Sequence, residues 1–204
     1  MARDEERTMR AAEEPIVGGL PDVPGITVAM RLTPGLGTHL RGLADELLVH
    51  DYPGATIGRF EREMLAAAVS AANDCFFCMD SHAAHALALL DEPATVELAP
   101  VLDGIKQGAS DGVGARMEAL LAIARTVGGN ARELSAEQVS VALEAGATDA
   151  DVQLAVLIAA AFSMYNRMVD GLRARTPAST DAYAGRAREI AAAGYSAPPA
   201  APRS

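Results

Sequence analysis

The chain has 204 residues, of which half are hydrophobic and only 4% are aromatic, and a chain of this length is expected to form one domain. Its net charge of −10 argues against binding to nucleic acid or to anionic membrane surfaces, because both require a basic surface. The chain has neither an uninterrupted apolar run of about 18 residues nor an apolar stretch after its charged start, so we predict no membrane span and no secretory signal, and we expect a cytoplasmic protein.

Both ends of the chain differ in composition from its middle. Residues 1–24 are polar and then rich in Pro and Gly, which predicts a flexible N-terminal arm. Residues 195–204 are rich in Pro and Ala, which predicts a disordered tail. No linker interrupts residues 25–194, which we therefore predict to be one domain.

The pattern of the domain is helical throughout. Apolar residues recur at helical spacing, Pro and Gly punctuate them, and no run shows the period-two alternation of a strand. The predicted helices cover residues 34–48, 57–72, 75–90, 96–106, 112–127, 135–144, 148–172 and 180–193, with a turn at residues 128–130. The fold class is therefore all-α.

One predicted helix is apolar on every face. The stretch from Leu154 to Phe162 contains only apolar residues, and the helix opens with the capping pattern of Thr148 and Asp151. A helix of this kind is enclosed by protein on all sides. In a domain of this size we expect a second subunit to supply part of that enclosure.

The two cysteines, Cys75 and Cys78, are three residues apart at the start of the third predicted helix. In a reducing compartment, a close pair is more typical of redox or metal chemistry than of a structural disulfide. At about 100° per residue, Cys75, Cys78, His82 and His85 fall on one stripe of the helix. Cys78 and His82 are then neighbours, and the two sulfurs are close enough to form a disulfide.

Two features favour a reactive thiolate at this position. Asn73 or Asp74 is predicted to cap the helix, which places both thiols near its positive end, and a neighbouring imidazole favours the thiolate further. Glu63 lies on the preceding helix, twelve residues before Cys75. In an antiparallel hairpin its carboxylate can orient His82 and exchange a proton with it.

Three alternatives remain open for this motif. The thiols can be inert core residues. The spacing Cys-x2-Cys-x3-His-x2-His resembles a zinc ligand set, although on one continuous helix Cys75 and His85 are about 15 Å apart, too far to share an ion. A metal site that uses three of the four residues, or one shared between subunits, stays open. His85 either flanks the site or is a packed core residue, with the second interpretation favoured. Covalent haem is disfavoured because Met79, not His, follows Cys78.

The motif resembles the signature of the AhpD-like alkylhydroperoxidases, the peroxidase-related branch of the carboxymuconolactone decarboxylase superfamily. The spacing Glu-x11-Cys-x2-Cys-x3-His is reproduced without a gap. Residues 34–35, 134–149 and 162–172 are also similar to segments of that family, so the resemblance spans roughly residues 30–172. The residues that carry the resemblance are Glu63, Ser70, Asn73, Cys75, Phe76, Phe77, Cys78 and His82.

The resemblance implies an AhpD-like helical bundle whose core hairpin carries the Cys-x-x-Cys motif and which self-associates as trimers or hexamers. By position, Cys78 is expected to be the peroxidatic thiol, Cys75 the resolving thiol, His82 the base and Glu63 the far end of a proton relay. In the best-known members a second His directly precedes the second Cys. Phe77 stands there in this chain and removes one proton-carrying group. The true decarboxylases lack the Cys pair, so that activity is not expected.

The sequence thus predicts a thiol-dependent hydroperoxide reductase that uses the Cys75/Cys78 pair with His82 and Glu63. The partners are a hydroperoxide substrate and a dithiol electron donor, which the resemblance implies to be of lipoyl type, and no metal or cofactor is expected. The alternative is a non-enzymatic helical oligomer whose Cys pair senses redox state or binds a metal. Phe77 in place of the second His is the feature that favours this alternative.

Overall fold

The computed structural model describes Glu5, Thr8, Met9 and residues 14–197, and within these ranges the chain is helical with no strand, which confirms the predicted all-α class. The helices are α1 (Thr27–Leu32), α2 (Pro34–Leu48), α3 (Arg59–Ala72), α4 (Phe76–Ala88), α5 (Glu92–Lys106), α6 (Ala115–Asn130), α7 (Ala136–Glu144), α8 (Asp149–Gly171) and α9 (Ala184–Ala193). Short 3₁₀ turns at Ala131–Glu133 and Thr180–Tyr183 precede α7 and α9.

The predicted turn at residues 128–130 is wrong, because α6 continues through Asn130. A Cβ atom at Gly128 would lie 3.1 Å from a methyl carbon of Val69 and 3.6 Å from the hydroxyl of Ser163. The glycine therefore lets α6 pack closely against α3 and α8 rather than breaking the helix.

Helix α3 is the centre of the domain. It packs against α4, α6 and α8, and every residue from Arg62 to Ala71 is buried. Four of these residues are alanines, whose small side chains allow the neighbouring helices to approach on all sides. The helix enclosed on every face is thus α3, and the charged residue Glu63 lies on it in the middle of the core.

Helix α8 has one face that the domain does not cover. Leu157 and Met164 are 44% and 36% exposed, and Ala160 between them is exposed as well. By length and composition α8 is the one helix of the described chain that could cross a membrane, but half of its most apolar window is buried in the domain. It also buries the polar residues Asp151 and Asn166, so we interpret it as the core helix of a soluble domain.

The start of α8 is tied to the loop before α3 by a buried carboxylate. Asp151 accepts hydrogen bonds from the backbone amides of Thr56, Ile57 and Thr148 at 2.6–3.0 Å, and the predicted capping box with Thr148 is present. Burial alone would raise the pKa of Asp151, but these hydrogen bonds outweigh it and hold the pKa at about 2. The ionised carboxylate therefore stabilises the fold.

Residues 195–197 lie against the domain, although the sequence predicted that the disordered tail begins at residue 195. The backbone amides of Tyr195 and Ser196 donate to the buried carboxylate of Asp45 at 2.6 and 2.9 Å, and Tyr195 is 8% exposed. Gly194 permits this because it has a φ of 80° and because a Cβ there would lie 2.7 Å from an Asp45 oxygen. Residues 198–204 and most of residues 1–13 lie outside the described residues, so the predicted arm and tail stay predictions there.

Candidate active site

Helices α3 and α4 form the predicted hairpin, which brings their charged side chains together. The loop between them is short: the Cys75 amide donates to the Ser70 carbonyl at 2.9 Å, and Asp74 adopts a left-handed φ of 53°. The N-cap of α4 is Cys75 itself, so the prediction of Asn73 or Asp74 as the cap is wrong. Asn73 instead follows the last residue of α3 as its C-cap, and its side chain donates a hydrogen bond to Asn166 in α8.

The two thiols differ in their surroundings. Cys78 is 3% exposed and lines a cavity of about 110 Å³, large enough for several water molecules or a small organic molecule. Cys75 is fully buried in an apolar cluster with Val28 and Val169, and it does not line this cavity. A hydrogen bond with Cys78 and burial both raise the pKa of the Cys75 thiol well above its usual value. Cys75 is therefore protonated at neutral pH.

His82 lines the same cavity as Cys78 and is bonded to Glu63 behind it. Its Nδ1 lies 2.7 Å from Oε2 of Glu63, and both side chains are buried. Burial would raise the pKa of Glu63, but the hydrogen bonds from His82 and His85 outweigh it and hold the pKa at about 2. Since the carboxylate is ionised, Nδ1 of His82 is the donor in this hydrogen bond, and Nε2 is the ring nitrogen that Glu63 does not engage.

The other oxygen of Glu63 is bonded to a residue from the far end of the chain. The hydroxyl of Tyr195 donates to Oε1 of Glu63 at 2.6 Å and lies 3.0 Å from Nδ1 of His85. The Nε2 atom of His85 lies 3.4 Å from the Ser81 hydroxyl, and Ser81 lines the cavity. Burial lowers the pKa of His85, which is therefore neutral. A chain of hydrogen bonds thus runs from the cavity through His82, Glu63, Tyr195 and His85 and back to the cavity at Ser81.

Comparison with known proteins places this site in a family. Residues 50–126, which include α3 and α4, match the sequence profile described as the carboxymuconolactone decarboxylase family. Together with the two similar structures described below, this match supports an assignment to the AhpD-like superfamily. No curated protein sequence matches it.

Two solved structures are similar to this AhpD-like chain. The first is a peroxidase-related protein with an alkylhydroperoxidase AhpD core from Ralstonia eutropha JMP134, which is 26% identical with a TM-score of 0.66. The match covers 81% of this chain and 82% of that one. The second is a peroxidase-related protein from Silicibacter sp. TM1040, which is 23% identical with a TM-score of 0.66 over 87% of this chain and 95% of that one, and it shows the fold alone.

Phe77 forms an apolar wall of the cavity in this AhpD-like protein. Its ring packs edge-on against Tyr183 at a centroid distance of 5.5 Å and directly contacts Gly25. Gly25 has a φ of 55°, and a Cβ atom there would overlap the Phe77 ring. Phe76 faces away from the cavity, in a separate cluster with Met79. Of the two phenylalanines, Phe77 is the one that shields the cavity from water.

The other polar residues of the motif form a structural network. The side chain of Asn73 donates to Asn166 at 2.9 Å and to Ser163 at 3.1 Å, and Asn166 donates to Ser70 at 3.0 Å. These bonds join the end of α3 to α8. Since none of these four residues lines the cavity, they hold the hairpin in place rather than contact a substrate.

The potential metal ligands in the described residues agree only in part with those that the spacing suggested: the two histidines are shared, but Glu63 takes the place of the cysteines. Glu63, His82 and His85 each offer a ligand atom, and these atoms lie within 4.8 Å of one another in a fully buried cluster. Neither cysteine belongs to this cluster. Two imidazoles and a carboxylate are a donor set that suits Zn²⁺ or a non-haem iron.

Sequence reasoning missed two members of the site. His85 was favoured as a packed residue, although its place on the stripe of His82 was a signal that it belongs to the site. Tyr195 was assigned to a disordered tail. No local pattern marks it, because its contact with Glu63 joins residues 132 positions apart.

Proposed function

We propose that this protein is a thiol-dependent hydroperoxide reductase, with Cys78 as the attacking thiol, Cys75 as the resolving thiol, and His82 and Glu63 as a proton relay. The observation that carries the proposal is that Cys78 and His82 line one cavity while Glu63 holds Nδ1 of His82 at 2.7 Å. The AhpD-like family and the peroxidase-related structural neighbours are consistent with it.

In the first step, His82 accepts the Cys78 proton at Nε2, and the thiolate sulfur attacks one oxygen of the hydroperoxide. The O–O bond breaks, an S–O bond forms, and the proton returns to the departing alkoxide. One hydroperoxide and one thiol thereby become an alcohol and a sulfenic acid. Glu63 stabilises the imidazolium that forms, because its carboxylate is ionised and accepts from Nδ1.

In the second step, the sulfur of Cys75 attacks the Cys78 sulfenic acid. The S–S bond forms, the S–O bond breaks, and the Cys75 proton leaves with the hydroxyl as water. The raised pKa of Cys75 suits this order, because that thiol stays protonated until the sulfenic acid is in place. A dithiol then reduces the disulfide by exchange and is itself oxidised to a disulfide. We propose a lipoyl-type dithiol for this role.

The chain of hydrogen bonds through Tyr195 and His85 gives the relay a second route to the cavity. Phe77 supplies no proton-carrying group where the best-known members of the family have a His. Tyr195 and His85 supply two groups on the opposite side of Glu63. A proton held between His82 and Glu63 can therefore pass to Ser81 and the cavity without Phe77 taking part.

The test measures hydroperoxide consumption with dihydrolipoamide as the electron donor. Wild type is expected to turn over continuously, Cys75→Ser to stop after one equivalent with a trapped sulfenic acid, and Cys78→Ser to lose consumption by at least about three orders of magnitude. Mass spectrometry after dimedone labelling identifies which sulfur is oxidised. Equal consumption by wild type and Cys78→Ser would refute the assignment.

A second candidate function is binding of a transition metal by Glu63, His82 and His85, which the compact geometry of that cluster favours. It is tested by titrating the protein with Zn²⁺ and following binding by calorimetry. A metal enzyme of this kind would bind Zn²⁺ tightly in wild type and in Cys78→Ser but not in His85→Ala. If wild type binds Zn²⁺ no more tightly than His85→Ala does, the metal role fails.

We also propose that the protein is a cytoplasmic homo-oligomer. The exposed apolar face of α8, with Leu157, Ala160 and Met164, is the surface that a second copy would cover. Analytical ultracentrifugation of wild type and Leu157→Asp tests this proposal. A monomeric wild type would contradict it.

A further inference from the structure

A second cavity of about 460 Å³ lies beside the cavity at Cys78. Met30, Arg41 and Arg186 line both cavities, so the two are adjacent. The wall near Cys78 is largely apolar and includes Phe77 and Phe162. The second cavity is lined in addition by Thr27, Arg31, Ser196 and Ala197.

Among the residues that the structure describes, those that line these two cavities include three arginines and no aspartate or glutamate. This contrasts with the whole chain, which has 27 acidic and 17 basic residues. The charged side chains that line the approach to Cys78 are thus basic, in a protein whose net charge is negative. Such a lining favours the entry of an anion.

Of the two half-buried arginines, Arg41 has fewer hydrogen bonds from its guanidinium group to described residues. Arg186 is occupied, because it donates to Glu189 at 2.9 Å and to the carbonyl of Tyr195 at 3.3 Å. Arg31 is exposed at the outer edge. Arg41 is half-buried, and among the described residues its side chain has one hydrogen-bond acceptor, the Met30 sulfur at 3.7 Å, which is a weak one.

Among the described residues, no ion pair joins Arg41 to the acidic residue nearest to it along α2. Asp45 lies one turn further on, but both of its carboxylate oxygens accept from the backbone amides of Tyr195 and Ser196. The Arg41 guanidinium therefore presents a planar set of donors to the cavity, the geometry that carboxylates bind in bidentate fashion.

We propose that the substrate is an organic hydroperoxide that carries a carboxylate, with Arg41 binding the carboxylate while the peroxide reaches Cys78. This inference rests on the peroxidase function proposed above and names its substrate class. Because Arg41 and Cys78 line one cavity of about 110 Å³, the body between the two groups is short and apolar. Phe77 and Phe162 are placed to contact that body.

The first experiment compares two hydroperoxides that differ only in charge: cumene hydroperoxide with a para-carboxylate and the same compound with a para-carboxamide. The neutral donor dihydrolipoamide is used throughout. Wild type is expected to prefer the carboxylate by about tenfold in kcat/KM, mainly through KM, as a charge-assisted hydrogen bond predicts. In Arg41→Met this preference is expected to disappear, and in Arg41→Lys to persist in part.

The matched control is Arg132→Met, which removes one positive charge from an exposed residue that lines neither cavity. Its preference for the carboxylate is expected to equal that of wild type. An equal preference in Arg41→Met and wild type would overturn the inference. A separate assay replaces dihydrolipoamide with dihydrolipoate, and the inference is also overturned if Arg41→Met raises only the KM for dihydrolipoate, since Arg41 then binds the carboxylate of the dithiol.

The second experiment separates this inference from the proposed function by measuring binding without turnover. Calorimetry follows binding of 4-isopropylbenzoate and 4-isopropylbenzamide to wild type and Arg41→Met. Tighter binding of the benzoate by about tenfold, lost in Arg41→Met, supports the anion site even in a protein that reduces no peroxide. Equal binding of the two compounds by wild type contradicts it, whatever the peroxidase assay shows.

Discussion

Removing the hydroxyl group of Tyr195 tests most directly whether the hydrogen bonds around Glu63 matter for stability and for the reaction. Tyr195→Phe deletes the donor to Oε1 of Glu63 at 2.6 Å and the acceptor that lies 3.0 Å from Nδ1 of His85, and changes no other atom. Both groups are buried, and the substitution leaves the Glu63 carboxylate without one of its hydrogen-bond donors. A hydrogen bond to a charged group contributes about 1.5–3 kcal/mol, and we expect a loss of this size in the free energy of unfolding. For a chain of this length that lowers Tm by roughly 3–12 °C.

The same substitution also breaks the route between Glu63 and His85. We expect the single-turnover rate of Cys78 oxidation by cumene hydroperoxide to fall by about tenfold or more, since a positioned acid–base group contributes about 10²–10⁴-fold. The assay is rapid mixing of the reduced protein with the hydroperoxide, followed by mass spectrometry of oxidised Cys78, either as the sulfenic acid or as the disulfide with Cys75. Without its donor, the Glu63 carboxylate is also less stabilised in its ionised form. The pKa of Glu63 then rises, and acid unfolding begins at a higher pH than in wild type.

The matched control is Tyr165→Phe. Its hydroxyl is also buried and donates at 2.8 Å, but to the neutral backbone carbonyl of Leu40. We expect about 1 kcal/mol of lost stability, no change in the pH of acid unfolding, and a rate at least tenfold above that of Tyr195→Phe. Equal stabilities, acid transitions and rates in the two variants would show that Tyr195 is only a packing residue, and the proposed route would be refuted.

Three further predictions concern the thiols, the acid stability and the packing. Iodoacetamide should label Cys78 faster than Cys75, because only Cys78 lines the cavity, and peptide mass spectrometry that finds the reverse order would contradict the assignment of the attacking thiol. In urea unfolding, the stability that the ionised Asp151 contributes should be fully present above about pH 4 and should be lost as the pH falls through the Asp151 pKa of about 2. Asp151→Asn should make the free energy of unfolding depend less on pH in this range and should lower it by about 2 kcal/mol at pH 7. Gly25→Ala should lower the free energy of unfolding by more than about 2 kcal/mol, because Gly25 has a positive φ and contacts an aromatic ring. Gly129→Ala should be neutral or stabilising by up to about 1 kcal/mol, because Gly129 lies in α6 with open space around it. Equal effects of the two substitutions would contradict this packing.

The sequence by itself determined the local features of this protein. Helix boundaries at Pro34, Ser135 and Thr148 followed from capping chemistry, which depends on residues three or four positions apart. The pairing of Glu63 with His82 was predictable too, since a short loop between two helices forces them into an antiparallel hairpin.

The tertiary structure alone decided what completes the site. Tyr195 reaches Glu63 because the buried carboxylate of Asp45 holds the chain after α9, a contact that spans 150 positions. Both cysteines lie in one apolar cluster, but only Cys78 also lines the cavity, whereas Cys75 is enclosed by apolar side chains. Contacts of this kind depend on how several helices enclose a common space, and no periodicity within one segment records them.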